Sequence, residues 1–394
     1  MIEENQAPVD ARPGPLVEPG PELTGAQVSR YSRHAILPGI GVEGQRRLLN
    51  AHVFVVGAGG LGSPTLLYLA AAGVGSLTVI DDDVVDESNL QRQVIHGVSD
   101  VGRAKVDSAR DAIARIDPTI RVTRLRTRLT ADNALELLAG HDLILDGTDN
   151  FATRYLVADA SEILGIPVVW GAILRFDGQV TTFWPGLGPV YRDLFPEPPD
   201  PSAVPSCAEA GVFGVLCAAI GSAMGSEAIR LITGAGRTLV GRFLIHDALA
   251  GTWRELTVKP DPGRVPVTEL IDYRLACGTA EAGADPDAVS AADLARLVEA
   301  RERGEDDFVL VDVREPAEAD LVRIDGSVLL PKDGILEGRT PVPDDRPVVL
   351  YCKGGVRSAA VLAALRGAGR TDVRHLEGGI LAWIRDVEPD KPGY

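Results

Sequence analysis

The sequence predicts two α/β domains in one chain, each built on a parallel sheet with helices on its faces. Three observations predict this. Apolar strand-like runs alternate with helical stretches from His52 to about Gly171, and the alternation restarts at about Ser290. A small, polar, Gly-containing stretch, LACGTAEAGADPDA, separates the two series. The length, 394 residues, favours two hydrophobic cores over one.

In chain order, residues 1 to about 25 are acidic and Pro-rich and read as a flexible tail. A helical stretch covers about Ala26–Asn50. The run His52–Gly57 is a strand feeding a Gly-rich turn and an Ala/Leu-rich helix, and Ser76–Asp81 is the next strand. The runs RVTRL, DLILDGTDN and IPVVWG continue the alternation. This gives a first domain over 26–272, a linker over 273–287 and a second α/β domain over 288–394. The second carries a helix at Ser290–Arg303, strands FVLVDVRE and PVVLYC, a helix SAAVLAALRGAG and a strand DVRHLEGG.

Composition narrows the function. A formal net charge of −17 leaves no excess of cations to neutralise a nucleic-acid backbone, although clustered arginines can still hold a nucleotide. Four cysteines, Cys207, Cys217, Cys277 and Cys352, form no CxxC pair. That spacing indicates neither a disulfide scaffold nor a cysteine zinc site, and a reducing, cytoplasmic setting is expected. The first residues have no apolar core, so no signal peptide is expected. The uncharged stretch from Ala210, interrupted by polar residues, reads as a buried helix and not as a membrane span.

Gly57-Ala58-Gly59-Gly60-Leu61-Gly62 fits GxGxxG between a strand and a helix. The glycines allow backbone N–H groups to approach phosphates at the positive end of the helix. Asp81 ends the following strand, where a carboxylate can hold ribose hydroxyls. These residues alone suit an NAD-binding domain as well as an ATP site. Three further segments favour ATP: the run Ser88-Asn89-Leu90-Gln91-Arg92-Gln93, Lys105, and Thr148-Asp149-Asn150 at a strand end. Attack of a carboxylate on an α-phosphate builds negative charge and expels pyrophosphate. Arg92 and Lys105 can supply positive charge, and Asp149 can hold magnesium. Taken singly, Arg92 reads as a solvated charge and Lys105 as a helix-end cation.

The segments GAGGLGS, DDDVVDESNLQRQ, VGRAKV and DGTDN together resemble the MoeB/ThiF adenylyltransferases, relatives of the ubiquitin-activating enzymes, over roughly residues 26–270. The resemblance implies a Rossmann-like doubly wound sheet. It implies that Gly60, Asp81, Ser88, Asn89, Arg92, Lys105, Asp149 and Asn150 bind ATP and magnesium, and that Arg33 reaches the nucleotide site of a neighbouring subunit in a homodimer. Many members carry two CxxC zinc pairs. Here the first place holds Val190 and Asp193 and the second, Lys259–Thr268, has no cysteine. No zinc is expected, and packing of LFPEPPDP is expected to hold this region. Cys207, in PSCAEAGVFGV, stands where the family has a cysteine proposed to bond the carrier protein. A buried structural thiol is the other reading of Cys207, while Cys217 reads as core and Cys277 as incidental.

PVVLYC-KGGVRS-AAVLAAL reads as strand, loop and helix, with Cys352 opening the loop and Arg357 closing it as C-x4-R. Gly354 and Gly355 allow tight curvature. Inward N–H groups, the helix N-terminus and Arg357 would stabilise a thiolate or persulfide. With LVDVREPAEA and HLEGGILAW this resembles the rhodanese family over about residues 288–394, although the usual GHIPGA segment is altered to RIDGSVLLP. The domain order resembles MoeZ-type bacterial proteins and eukaryotic molybdenum-cofactor sulfurylases. It implies that ATP activates the C-terminal Gly-Gly of a ubiquitin-like sulfur-carrier protein and that a Cys352 persulfide then delivers sulfur. Thiosulfate or a cysteine desulfurase would be the upstream donor, and no nucleic-acid or membrane partner is expected. An NAD-dependent oxidoreductase with an accessory rhodanese domain and a degenerate, non-catalytic binding module are the alternatives.

Overall fold

The computed structural model describes residues 14–199, 211–273 and 287–393. These fall into two compact units, the first ending at Tyr273 and the second beginning at Asp287.

The first unit opens with α1 (Gly25–Ala35), α2 (Gly41–Asn50), β1 (His52–Val56), α3 (Gly62–Ala72), β2 (Ser76–Ile80), α4 (Lys105–Ile116) and β3 (Arg121–Leu125). It continues with α5 (Ala134–Leu138), β4 (Leu143–Asp146), α6 (Phe151–Leu164), β5 (Val168–Leu174), β6 (Asp177–Phe183), α7 (Tyr191–Leu194), α8 (Gly214–Thr233), β7 (Arg242–Asp247) and β8 (Thr252–Thr257). The strands form one sheet in the order β3-β2-β1-β4-β5-β6-β7-β8. From β3 to β5 neighbours run parallel, as the alternation predicts. The chain then turns back at each of β6, β7 and β8, so the expected parallel sheet carries an antiparallel extension. Strand order reverses between β1 and β4, and such a switch point opens a crevice at the carboxyl ends of the strands.

Hydrophobic clusters cover both faces of this sheet. Helix α8 belongs to the larger one. It is long and apolar enough to cross a membrane by length and composition, but more than half of its apolar stretch is buried inside the unit. Small residues let it pack against α3: a Cβ on Gly221 would lie 2.6 Å from the Leu61 carbonyl oxygen. Thr65 Oγ1 also donates to the Gly221 carbonyl at 2.9 Å.

Two expectations are corrected here and a third is extended. Residues 14–24 are packed and not a free tail: Val17 is buried, and the Leu16 N–H donates to Leu231 O at 2.9 Å. The helix expected over 26–50 is two helices, because Pro38 and Gly39, at φ +93°, end the first before the second begins. The region around Val190 and Asp193 is held by ion pairs as well as by LFPEPPDP. Leu194 and Phe195 do pack on the core. The ion pairs come from Arg264, which donates to Glu162 on α6 at 2.7 Å and to Asp193 on α7 at 3.0 Å. Beside it Asp159 accepts two bonds from Arg192, at 2.7 and 2.8 Å, and one from the Tyr273 hydroxyl at 2.6 Å.

The second unit runs β9 (Ala288–Val289), α9 (Ala291–Glu302), β10 (Val309–Asp312), α10 (Pro316–Leu321), β11 (Ser327–Leu329), α11 (Lys332–Leu336), β12 (Val348–Tyr351), α12 (Val356–Gly367), β13 (Val373–Leu376) and α13 (Gly379–Asp386). Its five strands are all parallel, in the order β11-β10-β12-β13-β9. The central strand, β12, is wholly buried, and its carboxyl end delivers Cys352.

Removing Arg264 strands two carboxylates that are 9% and 3% exposed. Arg264→Ala is expected to lower unfolding stability by about 3 kcal/mol, read by urea denaturation. A loss within error would show that the ion pairs do not hold the two segments.

Candidate active site

The first site is built on the turn after β1. Gly57 takes φ +91°, a conformation that favours glycine. Gly62 opens α3 so close to the turn that a Cβ there would lie 2.0 Å from Gly57 O. The turn is pinned from below. Asp81 accepts the Ala58 N–H at 2.9 Å and the Asp83 N–H at 2.9 Å. Burial raises the Asp81 carboxyl above its ordinary value, and Lys105 opposes this. His96 Nε2 lies 3.0 Å from Ala58 O, and Nδ1 lies 2.8 Å from Ser108 Oγ. A carbonyl only accepts, so Nε2 carries a proton, and burial lowers the pKa of this imidazole.

A cavity of about 880 Å³ opens above the turn. Gly57, Gly59, Gly60, Asp81, Arg92, Lys105, Asp149 and Asn150 all line it. Lys105 is buried, with Nζ 2.8 Å from Asp83. Arg92 donates to Ser88 O at 3.0 Å. Ser88 and Asn89 sit on a short 3-10 turn, Glu87–Asn89, outside the lining. The Ser88 N–H and hydroxyl both donate to Asp86, at 2.8 and 2.5 Å, and these bonds hold the Asp86 carboxyl below the usual range. Their contribution is to shape the turn that presents Arg92. Asn150 caps α6 by accepting the Thr153 N–H at 2.9 Å. The preceding Asp149 is exposed. Asp146, fully buried and raised in pKa by that burial, accepts from the Thr148 N–H and hydroxyl. Arg154 donates twice to Thr148 O, at 3.0 and 2.8 Å. Gly62 shapes the turn without lining the cavity, and Arg33 lies exposed on α1, away from it.

The second site is the loop after β12. Cys352 is fully buried, and its sulfur accepts the Gly355 N–H at 3.1 Å. Gly355, at φ +99°, turns the chain into α12. The loop is clamped by α13, whose Ile380 N–H donates to Cys352 O at 2.8 Å. A Cβ on Gly379 would lie 2.4 Å from the carbonyl oxygens of both Cys352 and Lys353. Arg357 closes the loop as expected by position, and its two terminal nitrogens donate to the two Glu318 oxygens, at 2.6 and 2.7 Å. Burial acts to raise the Glu318 carboxyl, yet the bond from Arg357 holds it below the usual range. The Gly355 N–H and the N-terminus of α12 also face the sulfur. Cys207 and Cys277 lie outside the described residues.

Residues 31–267 match the model of the ThiF family. The chain belongs to the ThiF family. Residues 292–386 match the rhodanese-like domain, so this is a ThiF-family chain with a rhodanese unit behind it. It is 55% identical over 390 residues to a probable adenylyltransferase/sulfurtransferase MoeZ of Mycobacterium tuberculosis, covering 96% of this chain and 98% of the relative. It is 51% identical over 267 residues to a sulfur carrier protein adenylyltransferase of Thermus thermophilus, covering 65% of this chain and 98% of that one. An adenylyltransferase and sulfurtransferase MOCS3 of Drosophila yakuba is 36% identical over 95% of this chain and 86% of its own length. Among solved structures, E. coli MccB with MccA-N7isoASN matches with a TM-score of 0.54 at 18% identity, over 63% of this chain and 76% of that one, a likeness of fold.

The ThiF-family cavity also contains residues to which sequence reasoning gave no role. Arg128 and Leu129 follow β3 and form one wall, and Ile271–Tyr273 form another. No local motif marks either segment. Gln93 does stand in the motif, and its buried Oε1 has no partner among the described residues. Cys217 is buried as expected, but it also lines the cavity, and a Cβ on Gly60 would lie 2.8 Å from its sulfur. Gly60→Ala is therefore expected to cost about 1–3 kcal/mol and to weaken ATP binding, both measured on the purified chain. Adding Cys217→Ala should recover most of the stability. No recovery would mean that the thiol is not what the loop packs against.

Proposed function

We infer that the chain is an adenylyltransferase/sulfurtransferase that activates the C-terminal carboxylate of a ubiquitin-like sulfur-carrier protein with ATP and then delivers sulfur to it from Cys352. The observation that carries this reading is the pairing of two sites in one chain: a glycine turn beside buried Lys105 and half-buried Arg92, and a cysteine loop curled around a sulfur.

In the first stage a carboxylate oxygen of the carrier attacks the α-phosphorus of ATP. The bond to pyrophosphate breaks, pyrophosphate leaves, and an acyl-adenylate remains. Lys105 and Arg92 offset the growing negative charge from preset positions, which is where such charges act most strongly. The cavity has the size of a small-molecule site, and backbone at Gly57–Gly62 suits phosphates. Asp81 keeps lone pairs for ribose hydroxyls after accepting its two backbone bonds. Asp149, a hard oxygen donor, fits magnesium, which would screen the phosphate charge. Asn150 and Asp146 hold the turn that carries it.

In the second stage the outer sulfur of a Cys352 persulfide attacks the carrier carbonyl and AMP leaves, giving an acyl disulfide. Attack on the Cys352 sulfur by a second thiol, for which Cys207 is our candidate, forms a protein disulfide and frees the carrier thiocarboxylate. One chain bearing both sites raises the effective concentration of the sulfur donor. We propose further that the chain works as a cytoplasmic homodimer with Arg33 reaching a partner's site. A carrier serving molybdenum-cofactor assembly, loaded with sulfur from thiosulfate or a desulfurase, fills the role.

The two activities should separate by mutation. Lys105→Ala and Arg92→Ala are each expected to lower carrier-dependent exchange of pyrophosphate into ATP by about 100-fold, leaving thiosulfate:cyanide sulfur transfer intact. Cys352→Ala should do the reverse. If Lys105→Ala and Arg92→Ala left exchange unchanged, the nucleotide assignment would fail.

A further inference from the structure

Behind the sulfur loop lies a buried polar pair that the mechanism above does not use. Ser358, on the first turn of α12, is fully buried. Its hydroxyl lies 3.6 Å from Cys352 Sγ, 2.9 Å from Gly355 O and 3.4 Å from Nδ1 of His375 on β13. His375 is only 6% exposed. An imidazole placed among apolar side chains costs free energy unless its nitrogens are used. Here one nitrogen faces a hydroxyl that itself faces the reactive sulfur.

We propose that His375, acting through the Ser358 hydroxyl, is a positioning residue that takes the proton of the Cys352 thiol and so sets how much of that sulfur is thiolate. The step balances. The thiol proton passes to Ser358 Oγ as the serine proton passes to His375 Nδ1, leaving a thiolate and an imidazolium. The thiolate attacks the outer sulfur of thiosulfate, a sulfur–sulfur bond forms to Cys352, the old one breaks, and sulfite leaves with its electron pair. The persulfide anion keeps the imidazolium as counter-charge across the serine. At rest the serine proton points to Gly355 O, the shortest of its three contacts. The hydroxyl rotates from Gly355 O toward His375 Nδ1 before the two protons transfer.

Other charged groups surround the loop, and the geometry accounts for their partners. Arg357 pairs with Glu318, and Arg314 with Asp312, which also accepts from Tyr351. Next to His375 in the sheet, Asp287 pairs with Arg366, and the Asp287 backbone carbonyl accepts the backbone N–H of His375 at 3.1 Å. Lys353 follows Cys352 directly and is buried.

The inference rests on reading Cys352 as the sulfur-carrying thiol, and the test keeps the two apart. Alkylation of Cys352 by iodoacetamide, followed on the full chain by peptide mass spectrometry across pH, reads thiolate alone. Persulfide formation from thiosulfate reads the sulfur-carrying role. His375→Asn and Ser358→Ala are each expected to slow alkylation at neutral pH about tenfold and to move its pH profile upward. The double variant should be no slower than either, because both lie on one path. Should His375→Asn fail to fold, Ser358→Ala carries the same prediction. Unshifted profiles, or effects that add in the double variant, would overturn the relay. A shifted profile with no persulfide on the wild-type chain would instead overturn the sulfur-carrying role.

Discussion

Both sites depend on one constraint: a backbone turn at the carboxyl end of a buried parallel strand must be tight enough for its N–H groups to face negative charge. At the first site Gly62 leaves no room for a side chain against Gly57 O. At the second, Gly379 leaves none against the carbonyls of the Cys352 loop. In each case the next helix begins within a few residues, so its N-terminus adds to the same field. Phosphate and thiolate, the anions of the proposed function, are different chemistries, but each suits a turn of this kind.

Around these turns the protein spends its buried charge on fixing geometry. Asp81 holds the glycine turn through Ala58, and Asp146 holds the Thr148–Asn150 turn. Glu318 fixes Arg357, and Asp312 fixes Arg314, itself fully buried. Arg264 bridges Glu162 on α6 and Asp193 on α7. Bridges of this kind contribute specificity more than stability, since each charge also loses its water.

Much of this was legible in the sequence because it is local. The RVTRL run is the strand β3 residue for residue, and the glycine motif, Asp81, Arg92, Lys105 and Asp149 reach one cavity. What was not legible depends on distant partners or weak patterns. Strand β8 is exposed along its whole length and carries no apolar alternation to reveal it. The break between α1 and α2 was signalled by Pro38-Gly39 and was missed because helical residues flank it. Residues 14–24 look like a tail by composition, yet a few apolar side chains and Arg47 hold them to the core. Arg357 meets Glu318 from 39 positions away, so no local spacing could show that its charge is shared.

The central claim is that one chain both activates a carrier and supplies its sulfur. The most direct measurement is the intact mass of a ubiquitin-like Gly-Gly carrier incubated with this protein, ATP, magnesium and thiosulfate, beside a Cys352→Ala control. The account predicts a gain equal to replacing one oxygen by sulfur, absent in the control. An unchanged carrier mass in the presence of adenylate formation, or a gain that survives Cys352→Ala, would contradict it.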